Sequence, residues 1–329
     1  MKYFIQFFLS ILCIAHVLAA ESTIIAPGAT LQKLAGGFAF TEGPASDRDG
    51  NVFFTDQPND RILKWSINGK LSTFMQPCGR ANGLCFDHQG YLWACADEKN
   101  ELWRIGPAGK WTAIVKDYQG KLLNGPNDVW VRPNRLAGSG VGSGSTPPKH
   151  PGNGASTLAS HDLIEFPGGL YFTDPYYQRS YWKRGPKGLD ECVYYLAPDY
   201  KTLTCVIDDL KQPNGIIGTS DGQLLYVADI KGGKTYRYRI LASGLLTEKK
   251  LFCELGSDGM TIDSDGNIYL TGKGVTVLDP AGKQIEHIDV AEPWTANVCF
   301  GGKDRQTLFI TASKSLYALR MAVHGVDSQ

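Results

Sequence analysis

The sequence predicts an all-β fold, a six-bladed β-propeller with a central channel whose ring is closed by an N-terminal strand. Three observations predict it. One pattern returns six times at a spacing of about 40 to 45 residues, the length of a propeller blade. The 38 Gly and 17 Pro make the chain turn-rich. No long stretch carries the apolar period of an amphipathic helix.

The copies begin, in chain order, at Thr41-Glu42-Gly43-Pro44, Ala81-Asn82-Gly83-Leu84, Pro126-Asn127-Asp128-Val129, Pro213-Asn214-Gly215-Ile216, Ser257-Asp258-Gly259-Met260 and Ala296-Asn297-Val298-Cys299. Each is followed by a turn and a β-rich second strand, such as Asn51-Val52-Phe53-Phe54-Thr55-Asp56 or Leu224-Leu225-Tyr226-Val227-Ala228-Asp229. Most of the turns carry Asp-Gly, Gln-Gly or Gly-Gly, residues that accept a positive φ in tight hairpins. Third strands follow in most copies, as at Ile62-Leu63-Lys64-Trp65 and Ser315-Leu316-Tyr317-Ala318. Thr23 to Gly37 precedes the first copy and is expected to supply the outermost strand of the last blade, leaving no open edge.

One gap between copies, from Asn127 to Asn214, is longer than the rest. Between Asn134 and Glu165 the chain is rich in Gly, Ser and Pro and holds nothing able to pack a core. Residues 135–165 or so are therefore expected to be a disordered insert at the hairpin tip of blade three, with Val129-Trp130-Val131 pairing directly onto Leu170-Tyr171-Phe172. The chain opens on Met1-Lys2, an apolar run from Phe4 to Leu18 and the small residues Ala19 and Ala20, the order of a secretory signal peptide over residues 1–20. The expectation is a single propeller domain over 21–329, periplasmic or secreted, with no stable membrane anchor after cleavage.

Charge is balanced, 33 basic against 33 acidic residues with no basic cluster, which gives no footing for nucleic-acid binding. Cys192 and Cys205 flank a hairpin turn expected at Pro198-Asp199 and could face each other across it; buried free thiols serving as small apolar residues are the alternative. His88, His150, His161 and His287 fall at turns, in the insert or on an outer strand, and no Gly-x-Ser-x-Gly elbow is present, so a nucleophilic-serine hydrolase is set aside.

The innermost strand of every blade runs along the channel, so equivalent positions of the repeat form a ring around one mouth. That ring reads Glu42, Asn82, Asn127, Asn214, Asp258 and Asn297. Two carboxylates and several amides gathered on one axis are costly to bury without compensation. A hard divalent cation compensates them, since calcium takes six to eight oxygen ligands. With neither His nor Cys in the ring, calcium is favoured over a dedicated zinc or copper site, and zinc, magnesium and manganese stay open. Caps on turns would explain any one position but not six equivalent ones. Arg80, just ahead of Asn82, could reach over the mouth, and Trp294 with Tyr176-Tyr177 could form an aromatic rim. Asp56, Asp174 and Asp229, at the ends of second strands, read as caps on loop amides.

The words Thr41-Glu42-Gly43-Pro44, Pro126-Asn127-Asp128, Gln212-Pro213-Asn214-Gly215 and Ser257-Asp258-Gly259-Met260-Thr261-Ile262-Asp263 resemble the SMP-30/gluconolactonase/luciferin-regenerating family, over nearly all of Gly37 to Leu319. The resemblance implies a propeller lactonase holding one divalent metal, with Glu42, Asn214 and Asp258 as ligands and Asn127 as a further ligand or substrate contact. It implies that Asp258 doubles as acid/base. A small lactone such as gluconolactone is the implied substrate, against which Asn82, Asn127, Arg80, Asn297 and Trp294 would lie. At Asn124-Gly125-Pro126 the chain lacks an arginine that some relatives use to hold a sugar lactone. Two other readings stand beside this one: hydrolysis of another ester or a phosphotriester on the same site, and a non-catalytic binding propeller with a structural ion.

Overall fold

In a computed structural model, the structure describes residues 22–136, 165–166 and 168–326. The expected signal peptide and nearly all of the expected insert lie outside the described residues. Among the described residues are six four-stranded antiparallel sheets, and all but one take their strands from one stretch of the chain, blade three with a two-stranded ribbon inside its first hairpin. Blade one comprises Thr41–Ser46, Val52–Asp56, Arg61–Trp65 and Leu71–Met75. The exception is blade six, in which Thr295–Gly301, Thr307–Ala312 and Ser315–Arg320 are completed by Gln32–Gly36 from the start of the chain. That strand pairs antiparallel with Ser315–Arg320, Gln32 opposite Ala318 and Gly36 opposite Ser315, and closes the ring. Among the described residues no helix is long and apolar enough to cross a membrane.

The second strands read as near-continuous apolar runs because both of their faces are buried, one against each neighbouring blade. Side chains alternate along a strand. In blade one Val52 and Phe54 therefore join the cluster shared with blade six, and Phe53 the cluster shared with blade two. Six hydrophobic clusters result, one in each cleft between adjacent blades. Burying a side chain such as Phe54, wholly inaccessible here, contributes about 1.5–3 kcal/mol.

In blade three Val129, Trp130 and Val131 pair with Phe172, Tyr171 and Leu170, as expected once the insert is set aside. The insert leaves that hairpin through a short two-stranded ribbon, Arg135–Leu136 against Glu165–Phe166, at the end of the blade away from the ring residues. Cys192 and Cys205 form a disulfide across the outer two strands of the same blade. Cys78, Cys85, Cys95, Cys253 and Cys299 are free thiols.

Candidate active site

Every ring residue sits where the pairing of the two innermost strands slips. The register shifts between Glu42 and Ala45, Pro213 and Ile216, and Thr295 and Asn297. In the other three blades the ring residue lies just ahead of the inner strand and donates its N–H to the second strand: Asn82 to the Cys95 carbonyl at 2.9 Å, Asn127 to Thr173 at 2.9 Å and Asp258 to Thr271 at 3.4 Å. Such bulges re-aim a side chain, here toward the axis. A hydroxyl ties the irregular backbone from blade to blade, Thr55 Oγ1 donating to the Asn82 carbonyl and Thr271 Oγ1 to that of Ala296.

The glycine that follows most ring residues answers crowding at the axis. A Cβ on Gly83 would lie 2.3 Å from Asp128 Oδ1 and 2.5 Å from the Asn127 carbonyl of the next blade, and one on Gly259 would lie 1.9 Å from Asn297 Cγ. Inner strands can approach this closely only where no side chain intervenes.

At the mouth Asn214 Nδ2 donates to Asp258 Oδ1 at 2.8 Å and to Tyr177 Oη at 2.8 Å. Trp294 Nε1 donates to Asp258 Oδ2 at 2.6 Å, so both oxygens of that carboxylate are oriented. Glu42 is buried, and its Oε2 accepts the Gly43 N–H at 3.0 Å. Burial above all, then the charges of Asp258 and Asp128, hold the Glu42 carboxyl well above the usual carboxylate range. Although an edge of Asp258 meets solvent, the surrounding protein raises its pKa too, against the lowering pull of the Trp294 bond, the Arg179 charge and the Asn214 bond. Asp128, one residue beyond Asn127, is likewise pushed well up by burial.

This cluster is rich in acceptors and poor in donors. Asn214 Oδ1 and Asn82 Oδ1 are buried and meet no hydrogen-bond donor among the described residues. Orphaned carbonyl oxygens beside two carboxylates that repel each other are the surroundings a hard, oxygen-seeking cation fits. Glu42, Asn214 and Asp258 could hold it, with Asn127, buried at the equivalent place in blade three, as a further ligand.

A loop of which sequence reasoning singled out only Tyr176-Tyr177, as part of an aromatic rim, spans the mouth. Blade one turns from its second to its third strand through Gln57–Asn59 and Asp60, whereas blade three takes the whole segment between Asp174 and Cys192. Tyr177 bonds Asn214 of blade four, Tyr181 Oη donates to Gln57 Oε1 of blade one at 2.6 Å, and Arg179 and Arg184 both pair with Asp97 of blade two. Asp97 is buried and also accepts Gln57 Nε2 at 3.0 Å. The Arg179 guanidinium stacks on the Tyr177 ring, 4.6 Å from its centroid. The unusual spacing between Asp174 and Cys192 and the run Tyr176-Tyr177-Gln178-Arg179-Ser180-Tyr181-Trp182-Lys183-Arg184 were the signals available in the sequence.

The structure therefore gathers Glu42, Asn214 and Asp258 and brings Trp294 to them. It does not bring Arg80. That residue pairs with Glu98 at 3.2 Å, contacts the Pro58 carbonyl and lies beneath the Tyr181 and Trp182 rings, so its charge is committed to holding the loop. The polar atoms of Asn297 are also bonded within the protein: its Nδ2 bonds both oxygens of Asp128, and its Oδ1 accepts the Val298 N–H. The carboxylate of Asp128 draws it down the axis. Asp56, Asp174 and Asp229 cap loop amides as read, Asp174 accepting the N–H groups of Asn124 and Gly125 and Asp229 those of Lys211, Gln212 and Gly232. Below the ring lies a cavity of about 100 Å³ lined by Leu84, Phe86, Val129, Ile216 and Met260 among others.

A family profile described as SMP-30/Gluconolactonase/LRE-like region matches residues 156–314. A gluconolactonase of Zymomonas mobilis is 26% identical over 335 aligned positions, covering 90% of this chain and 82% of that protein. A crystal structure of a protein assigned as a gluconolactonase is 31% identical and superposes with a TM-score of 0.77 over 92% of this chain and 96% of that one. The structure of a gluconolactonase from Xanthomonas campestris, 25% identical, superposes with a TM-score of 0.74 over 90% of this chain and 91% of its own.

Proposed function

Since this chain belongs to the SMP-30/gluconolactonase/LRE-like family of propellers, we propose that it is a lactonase that hydrolyses a small sugar lactone and depends on one divalent cation, calcium by the hardness of the donor set. The observation that carries this reading is the juxtaposition of an oriented carboxylate, Asp258, with a second buried carboxylate and orphaned amide oxygens under a loop-covered mouth. A cation held by Glu42, Asn214, Asp258 and Asn127 would supply Lewis-acid polarisation of the lactone carbonyl.

The chain's own residues do the rest. Water attacks the lactone carbon, a C–O bond forms and the ring C–O bond breaks. Asp258 takes the proton that water loses and returns it to the departing ring oxygen, so the proton count closes at one carboxylate. The bonds from Trp294 and Asn214 keep the two oxygens of Asp258 in fixed directions for these transfers. Tyr177, Tyr181 and Trp182 limit the water that reaches the mouth.

The test is hydrolysis of D-glucono-1,5-lactone, followed by proton release, in metal-stripped protein and after adding back calcium, zinc, magnesium or manganese. Activity restored by an ion supports the reading. Equal activity in stripped and reloaded protein refutes the metal dependence, and none with any ion refutes this substrate.

We also propose export to the periplasm or beyond, on the residues Met1 to Ala20 and on the Cys192–Cys205 disulfide, a bond that persists in oxidising compartments. Cell fractionation with mass spectrometry of the mature N-terminus tests it: exported protein cleaved near Ala20 is expected, and a chain that keeps Met1 and stays in the cytoplasm refutes it.

A further inference from the structure

Arg179 and Arg184 share one carboxylate, Asp97, but not equally. Arg184 is 3% exposed and contacts Asp97 Oδ1 together with the carbonyl oxygens of Asp97 and Asn124. Gly125 leaves the space it needs, since a Cβ there would fall 2.1 Å from Arg184 Nη1. Arg184 thus fastens the loop to the blade and shares with Arg179 the compensation of the Asp97 charge. Arg179 reaches Asp97 Oδ2 only through Nε, at 3.3 Å. Its two η nitrogens have no hydrogen-bond acceptor among the described residues, and its side chain keeps 17% of its surface open. The Tyr177 ring packs on one face of the guanidinium, and its charge reaches both Glu42 and Asp258. Arg179 therefore overlooks the reacting groups with the outer fork of a rigid, planar donor free.

A guanidinium fork fits the two oxygens of a carboxylate, which it binds bidentately, whereas a neutral hydroxyl satisfies one N–H at a time. Aromatic packing and the partial desolvation of the loop strengthen that preference. We infer that Arg179 is the specificity-determining residue of the site and selects lactones that carry a free carboxylate, the lactones of sugar diacids, over neutral aldonolactones. This rests on the lactonase reading for its turnover but not for its binding consequence. The aldonolactone named above would be a poorer substrate for the same machinery.

D-glucaro-1,4-lactone and D-glucono-1,4-lactone differ only in a terminal carboxylate against a hydroxymethyl group. In the full metal-loaded protein, kcat/KM is expected to favour the acidic lactone by about 10- to 100-fold, carried mainly by KM, as for a charge-assisted bidentate contact. Arg179→Gln is expected to bring the ratio near one, and Arg179→Lys to restore part of it, with thermal melts checking that both variants fold. Titration calorimetry with the open-chain diacid, glucarate, reads the same contact without turnover: wild type should bind it at least about 10-fold more tightly than Arg179→Gln. A wild-type ratio near one, or an Arg179→Gln variant that loses both lactones equally, overturns the assignment. If neither lactone is hydrolysed, the lactonase reading fails by itself, and calorimetry decides Arg179: glucarate binding lost in Arg179→Gln upholds it, and binding absent or unchanged overturns it.

Discussion

Replacing Asp258 by Asn separates what this carboxylate does for the fold from what it does for chemistry. In the wild type both oxygens accept donors, Asn214 Nδ2 at 2.8 Å and Trp294 Nε1 at 2.6 Å. An amide can accept only one of them, because its NH2 must face the other donor. One charge-assisted bond is lost, a cost of about 1–3 kcal/mol. Against this, the substitution removes a negative charge from beside Glu42, whose carboxyl is held well above its ordinary range partly by Asp258. In metal-free protein the two effects oppose each other, and the melting temperature should move by only a few degrees in either direction. Activity should respond on another scale. Loss of a positioned acid/base group costs about 10²- to 10⁴-fold in kcat, or roughly 3–5.5 kcal/mol of barrier. Cation binding should weaken as well, so the stabilisation gained on adding saturating ion, about 2.7 kcal/mol at 100 times Kd in the wild type, should shrink. The assay is kcat for lactone hydrolysis at saturating ion, paired with denaturation in the presence and absence of that ion. A kcat within about tenfold of wild type, with the protein folded and loaded, would remove Asp258 from the proton-transfer role.

Other substitutions reach the site from further out. Trp294→Phe keeps the aromatic bulk but deletes the N–H on Asp258 Oδ2, a bond that lowers the Asp258 pKa, so the acidic limb of the pH–rate profile should move to higher pH; an unmoved limb would show that the indole only fills space. Gly259→Ala puts a methyl group 1.9 Å from Asn297 Cγ and must break that residue's bonds to Asp128, destabilising the protein by about 1–3 kcal/mol in urea denaturation. Asp174 caps Asn124 and Gly125 from a buried position, and burial lifts its pKa to about 7. Because the folded state holds this proton more tightly than the unfolded state, its contribution to stability is greatest below about pH 4 and is lost as pH rises to about 7. The stability difference between wild type and Asp174→Asn should therefore slope between those values, by at most roughly 4 kcal/mol, and run flat above them; no slope would mean that the two N–H donors fully offset the burial, and a slope of opposite sign that they outweigh it.

What the sequence by itself determined here is whatever the repeat carries. Blade number, the closing strand before Phe38 and the axial positions of Glu42, Asn214 and Asp258 all follow from one periodic pattern, because every blade solves the same packing problem against its neighbours with the same alternation of side chains. Tertiary structure alone decided the rest. Asn297 occupies its place in the ring yet turns to Asp128, a choice set by a side chain more than a hundred residues away in the chain. Arg80 is adjacent to a ring residue in sequence but is claimed by Glu98 and the Pro58 carbonyl. Arg179 belongs to a segment outside the repeat and acquires a role only when Asp97, from another blade, and Tyr177 fix where its guanidinium lies. Periodicity encodes contacts that each blade makes in common; a contact made once, across the channel mouth, leaves no period to read, and its energy is settled only when distant side chains compete for the same donors and acceptors.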